Sequence, residues 1–222
     1  MHSLKKRFCS VLLALLFSAI PALAQVLSSS PEAGITSSNG KTGPAFSADN
    51  PPSTLAVDGF FASAFSSEYA DDNRSILIRW ASPLKIYLKG SPTEDDQKVL
   101  RSFLYDLQEN VAGLPPISIL DSQENATVVI AFVPYKQMSE NLITYNPDNW
   151  GFMNCFDENG EIRYGLIAIA TDVTQQPDRN HLIQEEFVNM LGLTDDLGFA
   201  PDSIIYQPYT KTQTLSKMDM KC

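Results

Sequence analysis

The chain has 222 residues, a formal net charge of −10, three cysteines and only two histidines. An acidic surface with no basic cluster excludes nucleic acid and anionic lipid as expected partners, because those demand Lys and Arg to displace counter-ions. The histidine count excludes an ordinary catalytic zinc site, which takes three protein ligands, mostly imidazole.

Residues 1–24 read as an export signal. Lys5, Lys6 and Arg7 form a charged start, Val11 to Ile20 a short apolar run, and Ala22-Leu23-Ala24 a small-x-small cleavage site. The run is too short to span a bilayer comfortably. Cys9 precedes it and is badly placed for lipid attachment. Cleavage removes His2 and three of 16 cations, leaving 13 against 26 acidic residues, a balance of −13. The expected location is secreted or periplasmic, with no membrane contact after cleavage. Residues 25–54, rich in Ser, Gly and Pro, read as a disordered spacer. Residues 55–222 read as one domain, opened by an aromatic helix or strap (GFFASAFSSEY).

Ile76 to Trp80 and Leu84 to Leu88 alternate apolar and polar residues and predict strands. Ser91 and Glu94 have capping-box spacing with Pro92 between them, so a helix is expected from Pro92 to about Val111. The acidic run Glu94-Asp95-Asp96 suits the first turn of that helix. Ile117 to Leu120 predicts a short strand, and Thr127 to Val133, almost wholly apolar, a central one. Tyr145 to Gly151 reads as a loop; Trp150 in it either lines a cleft or plugs the core. Asn159-Gly160 between two strand-like runs signals a hairpin. Asn180 to Leu193 predicts the second main helix, Asp202 to Gln207 a short extended piece, and Ser216 with Asp219 the first turn of a C-terminal helix that the chain leaves incomplete. The fold class is therefore α+β, on one twisted mixed sheet. Cys155 and Cys222 either form one disulfide or remain two thiols.

On a wheel of 3.6 residues per turn, Ile183, Phe187, Met190 and Leu191 gather on one side of the second helix. His181, Glu185, Asn189 and Gly192 gather on the other. A polar stripe of this kind is ordinarily a solvated face, with Glu186 at its border paired to a cation such as Arg179. Its i, i+4, i+8 spacing also aims side chains at one point. His181, Glu185, Asn189 and Asp195 are thus candidates for a cleft-lining face.

The stretch from Gln184 to Asp196 resembles the zinc-protease pattern H-E-x-x-H-x-x-G-x-x-H/D. Glu185 and Asn189 stand at the helix histidines, Glu186 at the catalytic glutamate, Gly192 at the turn glycine and Asp195 at the third ligand. Ser203-Ile204-Ile205-Tyr206 resembles the turn that lies under the metal in metzincins, with Ile205 in place of methionine. From about Phe60 onward the chain is also similar to a bacterial family of secreted and lipoprotein-type domains of unknown function. RNHLIQEEFVNMLGL and a following D-S-I-I segment carry that similarity.

The resemblance implies a zincin-like single domain without the zinc histidines. It points to a pseudoprotease-type module binding a peptide, a cell-wall fragment or a protein. The alternative is a hydrolase using Glu186 with Glu185 or Asp195, and with Tyr206 nearby. Without a metal, water keeps a pKa near roughly 15.7, a poor match for a carboxylate base. No cofactor is expected. The alternative metal site, Glu185, Asn189 and Asp195, is all oxygen and suits Ca²⁺, Mg²⁺ or Mn²⁺. A structural surface domain with a vestigial cleft is the third alternative.

Overall fold

Six apolar residues in a row set the middle of the molecule. Val128–Val133 (β3) is buried along its whole length. A strand buried on both faces belongs inside a sheet, and β3 is the central one of five. The computed structural model describes residues 53–66, 76–207 and 210–221. The sheet has the order β2–β1–β3–β5–β4, where β1 is Leu84–Gly90, β2 Ile117–Leu120, β4 Gly151–Glu158 and β5 Glu161–Ala170. β1 runs parallel to β2 and β3, and β3 parallel to β5; β4 is antiparallel to β5 and forms one edge. The expected α+β class with a mixed sheet is observed.

Side chains of β3 and β5 alternate between two cores, as the period of two requires. Val128, Ile130, Phe132, Ile167 and Ile169 belong to the larger core. Ala131, Val133, Ala168 and Ala170 join Met138 and Leu142 on the opposite face. Met138 comes from a 3₁₀ turn, Tyr135–Glu140.

Two helices supply the larger core. α2, Glu94–Asn110, contributes Leu100, Phe103, Leu104 and Leu107. α3, Gln176–Met190, contributes Leu182, Ile183, Phe187, Val188 and Met190. Phe103 meets Phe187 edge-on, with ring centroids 6.2 Å apart. α1, Thr54–Ala64, starts on a Ser53 side-chain cap and adds Ala56 to the core.

Several boundaries differ from expectation for local reasons. The capping box of α2 is Thr93 with Asp96, two residues beyond the expected pair. Gly90 takes a φ of 84°, and the Ser91 N–H donates to the Phe132 carbonyl at 3.0 Å, so Ser91 continues the pairing of β1 with β3. Ile76 to Trp80 is no full strand; it makes one bridge, Arg79 to Glu161. α3 starts earlier than expected, at a Gln175–Asp178 capping box. Residues 202–207 form turns in place of an extended piece, with one bridge from Tyr206 to Leu197. The Asn159-Gly160 hairpin is present, with both residues at positive φ.

The Ser216–Asp219 capping pair also forms, and it holds more than a helix start. Asp219 accepts from the Ser216 N–H at 2.7 Å, and from the Ser203 hydroxyl and the Ile204 N–H at 2.6 and 3.1 Å. One carboxylate thus ties the chain end to the turn at residues 203–205. A 3₁₀ turn, Asp219–Lys221, follows, and Met218 is buried in the larger core. Cys222, the proposed disulfide partner of Cys155, lies outside the described residues, as do the export signal and nearly all of the spacer.

Candidate functional site

From His181 to Met190, α3 has no solvated face. His181, Gln184, Glu185, Glu186 and Asn189 are all buried, as are the apolar residues between them. Buried polar groups call for hydrogen-bond partners, and neighbouring segments supply several of them. Toward α2, Arg179 donates through Nε to Asp96 Oδ1 at 3.1 Å and through Nη1 to the Thr174 carbonyl at 2.9 Å. Arg179 is therefore committed to Asp96, and the expected pairing with Glu186 is not made. Burial by itself would raise the Asp96 pKa; the Thr93 N–H, Gln176, the Thr93 hydroxyl and Arg179 together overcome it and hold the carboxyl below its ordinary value.

The end of α3 is fixed by the segment before β1. The Trp80 indole N–H donates to the Met190 carbonyl at 3.0 Å, satisfying one of the acceptors a helix leaves open at its C-terminus. Gly192 then turns the chain with φ 119°, and a Cβ there would lie 2.5 Å from the Ile78 carbonyl oxygen. The position expected to need a turn glycine does need one.

Beyond this turn the two aspartates part. The Asp195 N–H donates to the Ser63 carbonyl at 3.2 Å. Burial raises the Asp195 pKa, opposed by the Asp196 N–H and the Ser66 side chain. Asp195 thus faces the end of α1 and is no part of the cleft, contrary to the expected third-ligand position. Asp196 takes the cleft side and accepts from Gln207 Nε2 at 2.9 Å.

The cleft is a cavity of about 620 Å³ between α3, β4 and the turns after Gly192. Glu185, Glu186 and Asn189 line it from the helix, Thr194 and Asp196 from the next turn, and Tyr206 and Gln207 from the last. β4 forms a wall with Gly151 to Phe156, and Trp150 stands at its end, half-exposed. Glu186 lies directly under β4: a Cβ on Gly151 would come within 2.9 Å of its Oε1. Asn154 braces the wall, its Oδ1 accepting from the Ile143 and Thr144 N–H groups at 2.8 and 3.2 Å. Four of the five expected residues of the helix and final turn meet here or beside it: Glu185, Glu186, Asn189 and Tyr206 line the cavity. His181 stands behind it, wholly buried.

Residues 54–222 match a family described as "Protein of unknown function (DUF2927)". The chain belongs to the DUF2927 family. No curated protein matches it. Two solved structures of myroilysin are similar to it, each at 10% identity. One covers 64% of this chain and 92% of its own, with a TM-score of 0.40; the other covers 61% and 60%, with a TM-score of 0.31. The chain spans less than two thirds of the second of these structures.

Zinc fits this DUF2927 cleft poorly. The cavity-lining donors of α3 and the next turn are carboxylate, amide and hydroxyl oxygens, and β4 adds one thiol, Cys155, whereas zinc sites are built mainly from several imidazoles and thiolates. The His181 ring is used elsewhere: Nδ1 lies 2.7 Å from the Thr212 carbonyl, and Nε2 lies 3.5 Å from Glu185 Oε2. Among the described residues, no three His, Cys, Asp or Glu side chains converge as metal ligands.

The His181 pKa is shifted within the DUF2927 domain. Burial disfavours its charge, but Glu185, the Thr212 carbonyl and Asp196 outweigh burial and raise its pKa above the ordinary value. A raised folded pKa adds stability that is complete below the unfolded value of about 6.5 and is lost as pH rises through the folded one. In denaturant titrations, the stability advantage of the wild type over His181→Gln is expected to shrink as pH is raised above about 6.5. A difference that grows with pH would contradict this assignment.

Proposed function

We propose that the domain is a zincin-like, pseudoprotease-type binding module that takes an extended peptide segment in the cleft between α3 and β4. It would act outside the cytoplasm, after removal of residues 1–24. The observation that carries this proposal is the orientation of the cleft wall. The Ala170 N–H donates to the Trp150 carbonyl, and the Gly165 and Thr171 N–H groups donate toward β3. From Gly165 to Ala170, even-numbered residues of β5 therefore bond to β4 and odd-numbered ones to β3. The antiparallel register then turns the Trp150, Phe152 and Asn154 backbones toward β5, and those of Gly151, Met153 and Cys155 away from it. An edge strand facing a cavity is a template for main-chain hydrogen bonds to an extended peptide.

This wall lies over the helix positions that resemble a protease's, and those positions hold Glu185 and Asn189. The scaffold therefore supports holding a peptide better than cleaving it. Amide hydrogen exchange of the exported chain tests this. A bound peptide is expected to slow exchange at the Gly151 and Met153 amides. A panel of extended peptides that leaves both amides unchanged would sink the proposal.

The hydrolase alternative is favoured by one observation: Glu186 and Tyr206 line the same cavity. Asp195 does not join them, so the carboxylate available beside Glu186 is Glu185 or Asp196. Release of a cleaved product by the wild type and not by Glu186→Gln would favour this alternative over binding alone.

A further inference from the structure

We propose that the cleft selects a peptide bearing an arginine side chain, whose guanidinium is held by Glu185, Asn189 and Asp196. This inference rests on the peptide-binding function proposed above and names the ligand's chemistry.

Charge comes first. Among the described residues, the charged ones lining the cavity are Asp148, Glu185, Glu186 and Asp196, with no Lys, Arg or His. Such a wall attracts a cation and repels an anion, the more so because the surrounding protein excludes water.

Carboxylates alone do not define a site. Asn189 provides the second, independent observation. It is 9% exposed and lines the cavity, and among the described residues its Oδ1 is a buried acceptor with no hydrogen-bond partner. A buried amide oxygen left without a donor is costly, of order 1–3 kcal/mol. Retaining it beside a cavity makes sense when an incoming group supplies an N–H.

The geometry then selects among cations. A metal ion needs its oxygen ligands drawn to about 2–2.6 Å around one point, and the described carboxylates do not converge in that way. A guanidinium is different. It carries five N–H donors spread over a plane, so it can serve several acceptors that stand apart. An ammonium offers three donors from one point. The cleft presents an amide oxygen on one helical turn, a carboxylate one turn earlier at Glu185, and a second carboxylate across the turn at Asp196. Glu185 is in turn steadied by His181 behind it.

The test uses the full exported chain and three capped pentapeptides, identical except at the middle residue. The residues are arginine, lysine and citrulline, the last being the neutral isostere of arginine. Titration calorimetry at low salt is the readout, with amide exchange at Gly151 run on the same samples. The arginine peptide is expected to bind at least about tenfold more tightly than the citrulline peptide, and more tightly than the lysine peptide. Because all three act on the wild-type protein, folding of a variant does not enter. Glu185→Gln is expected to erase most of the arginine–citrulline difference.

Equal binding of all three, with Gly151 protected, would overturn the arginine inference while leaving the peptide-binding function in place. Lysine equal to arginine would overturn the guanidinium assignment. Failure of every peptide to bind or to protect Gly151 would overturn both.

Discussion

Replacing Asp96 by alanine is expected to lower the unfolding free energy by about 3–5 kcal/mol. Asp96 is wholly buried, yet it serves two structures at once. Its Oδ2 accepts from the Thr93 N–H at 2.9 Å and closes the capping box of α2. Its Oδ1 accepts from Gln176 Nε2 at 2.7 Å and Arg179 Nε at 3.1 Å, both in α3. Removing the carboxylate leaves a guanidinium buried between two helices without its counter-charge. That is a far larger cost than losing an exposed pair, which is typically worth about 0–1 kcal/mol. Urea unfolding of Asp96→Ala, Arg179→Met and the double variant measures it. The double variant is expected to lose less than the sum of the two singles, because each single strands the other partner. The pH dependence has the opposite sign to that of His181. A lowered folded pKa gives stability present above the unfolded value of about 3.9 and lost as pH falls through the folded one. The gap between wild type and Asp96→Asn is therefore expected to close in acid.

The second large effect is expected at Gly192→Ala. A φ of 119° is open to glycine and closed in practice to alanine, and the new Cβ would press on the Ile78 carbonyl oxygen, a backbone atom with little freedom to retreat. Backbone strain of this kind costs about 1–3 kcal/mol, and overpacking costs about 1–3 kcal/mol more. The loss should exceed that at Gly198, where an added Cβ meets nothing within 4 Å. Thermal or urea unfolding of Gly192→Ala and Gly198→Ala decides this. The Gly192 change should also disturb the cleft, because Thr194 and Asp196 enter it directly after the turn.

What was legible in the sequence was local. The Asn159-Gly160 hairpin follows from two adjacent residues that accept positive φ, so neighbours suffice to read it. The central position of β3 follows from an unbroken apolar run. Gly192 was legible as a turn because the motif it resembles places a glycine there.

What was not legible depends on contacts between distant segments. The polar stripe on α3 looked like a solvated face, since an i, i+4 pattern does not say what covers it. The cover comes from β4 on one side and from the chain near Thr212 on another, at separations no helical wheel encodes. On sequence Glu186 pairs with a cation such as Arg179, but α2 brings Asp96 to Arg179 from 83 residues away. Asp195 and Asp196 are chemically identical neighbours, and motif spacing chose the first. Only the path of the chain after Gly192 sends the second into the cleft. The Ser91 cap failed for the same reason: its N–H was already taken by Phe132 on another strand.

We propose that the cleft between α3 and β4 holds a peptide without a zinc site. The metal content of the purified mature protein, measured by plasma mass spectrometry after dialysis without chelator, tests it most directly. The expected result is no stoichiometric zinc, with Glu185→Gln leaving the metal content unchanged. One equivalent of zinc per chain, lost on changing Glu185 or Asn189, would contradict the claim and return hydrolysis to the front.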